Sequence, residues 1–130
     1  MTIERVNPPG LAEPRGFSHA VVGTGTTVFL AGQTALDGNG RIVGEGVVEQ
    51  FEQALSNLLT ALAAAGGRPD QLAALTIYIV DMDDYRARAA EIGAVWRRLV
   101  GREYPAMAGI GVARLWDADA LVEVQGYAVL

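Results

Sequence analysis

The chain has no cysteine, no lysine and a single histidine, His19. Without cysteine there is no disulfide, no thiolate nucleophile and no cysteine-based zinc site. One histidine in a cysteine-free chain argues against any metal centre. The missing lysine also removes the group that completes a phosphate-binding loop, so Gly23-Thr24-Gly25 reads as a turn. No run of about 18 apolar residues is present, which argues against a membrane span. The opening MTIERVNPPGLAEPRGF lacks the apolar centre of a signal peptide, and a cytoplasmic location is expected. The positive charge of a nucleic-acid binder is lacking too. Net charge is -5, and the ten basic residues, all arginine, are scattered. What the chain does have is apolar content, 51% over 130 residues, which suits one domain with a full core over residues 1–130.

The first sixteen residues are rich in proline and glycine and read as a surface segment. Phe17 to Gln33 reads as two short β runs split by Gly23-Thr24-Gly25, a hairpin signal. Turn residues fill LDGNGRIVGEG. Val48, Phe51, Leu55, Leu58, Leu59 and Leu62 then fall at helical spacing, and Gly66-Gly67 offers a left-handed stop. Leu75 to Val80 is β-branched and aromatic and reads as a central strand, apolar on both faces. Asp81 or Asp83 caps a second helix striped by Tyr85, Ala89, Ile92, Trp96 and Leu99, with Gly101 at its end. Strands follow at Met107–Leu115 and Leu121–Leu130. The β-β-α-β-α-β-β order, with a hairpin at each end, predicts an α+β two-layer sandwich: one mixed sheet with two helices on one face.

Side chains alternate across a strand. One face of the Met107–Leu115 strand carries Met107, Gly109, Gly111 and Ala113; the other carries Ala108, Ile110, Val112 and Arg114. Ile110 and Val112 suit a helix-covered core, which leaves the Met107 face as the bare far side. On the final strand Val122, Val124, Gly126 and Ala128 form the apolar face, and Glu123 and Gln125 stand opposite. Glu123 then reads in either of two ways: as a solvated strand residue, or as a general base in a pocket beside the glycines.

Six segments in order, GFSHAVV, FLAGQ, QALSNLLTALAAAGG, TIYIVDMDDY, YPAMAGIGVARL and LVEVQGYAV, resemble the RidA/YjgF family, also labelled L-PSP endoribonucleases. The likeness runs from about residue 16 to the end of the chain. The resemblance implies a chorismate-mutase-like fold and a homotrimer with ligand clefts between subunits. It also implies hydrolysis of 2-enamines and 2-imines to keto acids, without metal or organic cofactor. Carried over by position, Glu123 orients the attacking water, Gly109 supplies a backbone contact, and Phe17 stands at a tyrosine position. Ala31, beside Gly32, occupies a frequent serine position, and Met107 occupies the position of the arginine that clamps the substrate carboxylate.

Met107 is the main departure. A thioether offers no donor, and a carboxylate set against it would lose water without gaining a counter-charge. Ordinary 2-imino acids are therefore expected to bind poorly. Glu123 among apolar groups is expected to have a raised pKa. His19 reads as structural, Arg114 as an architectural residue paired with a carboxylate, Asp81, Asp83 and Asp84 as a helix cap, and Trp96 as core. The expected function is deaminase-like hydrolysis of an imine, enamine or related metabolite. A non-catalytic metabolite-binding or regulatory trimer is the alternative, and an endoribonuclease the weaker one.

Overall fold

A computed structural model describes residues 3–130. The elements run β1 (Ile3–Val6), β2 (Ala20–Gly23), β3 (Thr27–Gln33), α1 (Val47–Ala64), β4 (Leu72–Ile79), α2 (Met82–Ala87), α3 (Ala89–Leu99), β5 (Ala106–Gly111) and β6 (Val122–Val129). Four strands form a mixed sheet in the order β3-β6-β4-β5, antiparallel except for the β4–β5 pair. The helices cover one face of it. The chain thus has the expected α+β architecture.

The local chemistry explains most of these elements. Helix α1 buries Val47, Phe51, Ala54, Leu55, Leu58 and Leu62 against the sheet, each large side chain contributing about 1.5–3 kcal/mol. It ends in two bonds of the kind that close a left-handed cap: Gly67 N–H to Leu62 O and Gly66 N–H to Ala63 O, with Gly66 at φ +94. Asp81 caps α2 by accepting from the Asp84 amide at 3.1 Å. The second helical stretch breaks at Arg88, whose ψ of 16° is not helical, so it forms two pieces. Only α3 contributes fully buried side chains, Ile92, Val95 and Trp96, while Met82 and Tyr85 of α2 pack partly buried against the core.

Neither expected hairpin forms. Strand β2 pairs with β1, which lies inside the segment read as surface coil, and β3 pairs with β6. The Gly-Thr-Gly turn instead delivers Thr26 to the end of β6, where it exchanges two 2.8 Å hydrogen bonds with Leu130. At the other end, β5 pairs with β4 and not with β6. Both results follow from β6 lying between β3 and β4, which fills the edges a local hairpin would use. The β1–β2 ribbon is tied to the sheet by the Ser18 amide donating to Pro105 O at 2.9 Å and by Arg5, which reaches Asp70 O at 2.9 Å and Glu103 at 2.7 Å.

Candidate functional site

Strand β6 sets the site. Val122, Val124 and Ala128 are fully buried beneath the helices, so Glu123, Gln125 and Tyr127 face the open side. The register sets Glu123 opposite Tyr78 of β4 and Gln125 opposite Thr76. The Tyr78 hydroxyl donates to Gln125 Oε1 at 3.0 Å. On the other flank the pairing of β3 with β6 slips between Leu30 and Gln33, where Ala31 and Gly32 lie. The Glu123 carboxylate rests over Gly32; a Cβ there would collide with its Oε2.

Polar anchors hold this corner. Gln50, buried on α1, accepts from the Leu121 amide at 2.8 Å and donates to Gly44 O and Asp119 O. Asn57 donates to Thr34 O and Leu36 O. The Thr34 hydroxyl donates to Asp117 Oδ2 at 2.8 Å. Glu123 itself accepts no hydrogen bond from the described residues, which leaves its oxygens available to water or a ligand. Partial burial, and then the negative charge of Asp117, push its carboxyl above the usual carboxylate range.

Strand β5 corrects the assignment of its faces. Met107, Gly109 and Gly111 pair with Leu75, Ile77 and Ile79 of β4, all buried under the helices. Paired residues share a face, so Met107 and the glycines point toward the helical layer, and Ile110, 44% exposed, lies on the open face with Glu123. A Cβ at Gly109 would touch Ile79 Cδ1 at 3.5 Å. The bare hollow expected beside Glu123 is therefore not built from Gly109 and Gly111. Strand β4 also separates β5 from β6. Within one chain, Met107 and Glu123 stand on opposite faces of the sheet.

The backbone of Gly109 has a separate orientation. The Val112 amide donates to Ile79 O at 2.9 Å, so even-numbered residues of β5 bond to β4, and by alternation the peptide groups of Gly109 turn to the unpaired edge.

Met107 lines a cavity of about 290 Å³ between α1, α3, β4 and β5, with Phe51, Tyr85, Trp96, Arg15 and Arg97 among its walls. Burial pushes the Tyr85 hydroxyl up to about 12, so it stays a neutral donor. Trp96 is stacked on Tyr104 with ring centroids 5.8 Å apart, and its buried Nε1 has no partner among the described residues. Phe17 is half-buried and adjoins this cavity through the chain: Gly16 lines the cavity and Ser18 is bonded to Pro105 and Tyr104. The structure thus brings Met107 together with the Phe17 segment, and Glu123 together with Ala31 and Gly32.

The sequence does not mark Tyr85, Arg15 and Arg97 as cavity-lining residues. Tyr85 was part of a helical stripe, and nothing in the spacing marked the two arginines. His19 is structural: its amide donates to Asn7 Oδ1 at 2.8 Å and its Nε2 lies 2.7 Å from Ala12 O. Arg114 is exposed and pairs with no carboxylate among the described residues, contrary to expectation. No helix of the described residues is long and apolar enough to cross a membrane.

Comparison with known proteins follows the same outline. The Endoribonuclease L-PSP family matches residues 10–130. RutC family protein PH0854 of Pyrococcus horikoshii is 31% identical over 117 residues, 89% of each chain. The 2-iminobutanoate/2-iminopropanoate deaminase of Capra hircus is 32% identical over 114 residues, 87% of this chain and 79% of its own. A Rid-family protein of unknown function from Yersinia pestis, YyfB, superposes with a TM-score of 0.91 over all of both chains at 33% identity.

Proposed function

The chain belongs to the Endoribonuclease L-PSP (RidA/YjgF) family, and from that membership we propose that it is a deaminase-like hydrolase of an imine or enamine metabolite, working at a pocket shared between subunits of a homotrimer. The observation that carries the reading is the seating of Glu123: a carboxylate on an open sheet face, fitted over Gly32, free of competing hydrogen bonds and held above its usual pKa. Such a group, when ionised, is a stronger base toward a water proton than an ordinary carboxylate.

The proposed step balances as follows. Water oxygen forms a bond to the imine carbon while Glu123 accepts its proton and the C=N electron pair passes to nitrogen. Glu123 returns that proton to the nitrogen of the resulting carbinolamine. Glu123 then takes the hydroxyl proton as the carbonyl forms and passes it to the departing nitrogen, the C–N electron pair leaves with that nitrogen as ammonia, and ammonia takes up a proton from solvent to become ammonium.

A second copy is invoked because Glu123 and the Met107 cavity lie on opposite faces of one sheet. A neighbour's open face laid against the cavity mouth would join them. That face is apolar enough for such contact: Phe29 is 76% exposed and Tyr127 44%, and their rings meet edge to face at 5.4 Å.

The reading is tested by generating imines in situ with an amino-acid oxidase and following keto-acid release with and without the protein. Acceleration lost in Glu123→Gln is the expected result; equal turnover by that variant rules the assignment out. One observation favours a non-catalytic metabolite-binding reading: Met107 gives the cavity no charged donor. That reading predicts keto-acid binding without acceleration of any imine. Nuclease action remains the weakest reading, given the net charge of -5.

A further inference from the structure

We propose, building on the deaminase reading, that the carboxylate clamp absent at position 107 is supplied at the mouth of the same cavity by Arg15 and Arg97, and that the substrates are 2-imino acids with large apolar side chains.

The interior of the cavity is walled by Phe51, Ile77, Ile92, Trp96 and Met107, and its uncharged polar groups are the tyrosines Tyr85 and Tyr104 and the unpartnered Trp96 Nε1. A carboxylate inside would shed water against a thioether and aliphatic groups with no cation to meet it. An aliphatic or aromatic side chain gains there what a carboxylate loses. The volume, about 290 Å³, is near the lower end of the roughly 300–1,000 Å³ common for small-molecule pockets.

The two arginines occupy the complementary position. Arg15, just before β2, and Arg97, in the last turn of α3, both line the cavity and both are exposed, which places their charges at its rim. Neither forms an ion pair with the described residues, whereas Arg5, Arg68, Arg88 and Arg98 each do. Arg97 folds back along its own helix: its Nη1 lies 3.3 Å from where a Cβ at Gly93 would stand. Gly93 also lines the cavity, so the absence of a side chain there leaves room for the guanidinium beside the opening.

A 2-imino acid bound this way puts its side chain inside and its carboxylate between the guanidiniums, a geometry that favours Arg over other cations. The imine carbon, adjacent to the carboxylate, then lies at the mouth, where water and a neighbour's Glu123 can reach it. A substrate derived from alanine would leave the cavity unfilled.

Binding of the stable keto-acid products tests the clamp apart from catalysis. There are two tryptophans; Trp96 lines the cavity and Trp116, 96% exposed, does not. In Trp116→Phe, fluorescence of Trp96 becomes the reporter. Titration with 4-methyl-2-oxopentanoate should saturate at a concentration at least about tenfold lower than with pyruvate. Arg97→Gln and Arg15→Gln should each weaken the branched keto acid by about tenfold, and Arg97→Lys should recover part of the loss. Equal or tighter pyruvate binding overturns the proposal, as does unaltered affinity in both arginine variants. Imine turnover is measured alongside. If the binding pattern holds but no imine is hydrolysed, the deaminase reading fails and the clamp stands. If imines from alanine are hydrolysed faster than those from leucine, the clamp falls and the deaminase reading stands.

Discussion

The carboxylate of Glu123 lies on the bare Cα of Gly32, in the stretch where β3 and β6 fall out of register. A methyl group at position 32 would displace it, and what moves is the free end of a flexible side chain. Gly32→Ala is therefore expected to change stability by less than about 1 kcal/mol while lowering imine hydrolysis at least about tenfold. Urea midpoints and steady-state rates on the same preparation check this; retained turnover would show that the seating is unimportant.

The raised pKa of Glu123 has two consequences of known sign. A base must be ionised, so the acid limb of the rate profile should fall at a higher pH than an ordinary carboxylate gives. For folding, a carboxyl raised in the native state adds stability below its unfolded pKa, and that contribution is lost as pH rises through the folded pKa. Glu123→Gln should accordingly raise the melting temperature slightly at neutral pH, with the gain vanishing below the ordinary carboxylate range. Melting curves across pH decide it; a loss of stability at neutral pH would contradict the desolvation account.

The exposed Phe29–Tyr127 pair predicts an effect on assembly. If the proposed trimer forms through this face, Phe29→Ser should shift the mass toward that of a monomer in size-exclusion chromatography with light scattering. Because Phe29 is largely exposed within one chain, folding of the protomer should change little. An unaltered mass would place the subunit contact elsewhere.

Two glycines should respond very differently to alanine. Gly25 has φ +138, and a Cβ there would run into the Leu130 carbonyl; nothing lies within 4 Å of one at Gly10. Gly25→Ala should cost about 1–3 kcal/mol from backbone strain alone, and Gly10→Ala should stay within about 0.5 kcal/mol. Chemical denaturation of both variants measures the contrast.

Much of this was legible in the sequence where neighbouring side chains differ in polarity. On β6, Glu123 and Gln125 alternate with Val122 and Val124, and the open face follows directly. Strand β5 reads AMAGIG. Small apolar residues on both sides give no contrast, so Ile110 passed for core and the assignment slipped by one residue, which reverses every side chain. Strand β1 was hidden by its brevity and by two charged residues in a proline-rich segment. The hairpins failed because turn residues report only local geometry, whereas β3 and β4 both find their partner in β6, far along the chain. The cavity arginines are unreadable for the same reason: Arg15 and Arg97 are brought to one cavity only by tertiary packing.

The place of β6 in the sheet also orders events during synthesis. It follows every other element in the chain, yet it is the strand that joins β3 to β4. Until it emerges, β3 has no strand in the main sheet to bond to, and the apolar stripe of α1 has only part of its floor. The growing polypeptide must therefore carry exposed greasy surface and a bare strand edge through most of its translation, a span in which chaperone engagement matters more than for a protein closed by early, local pairings.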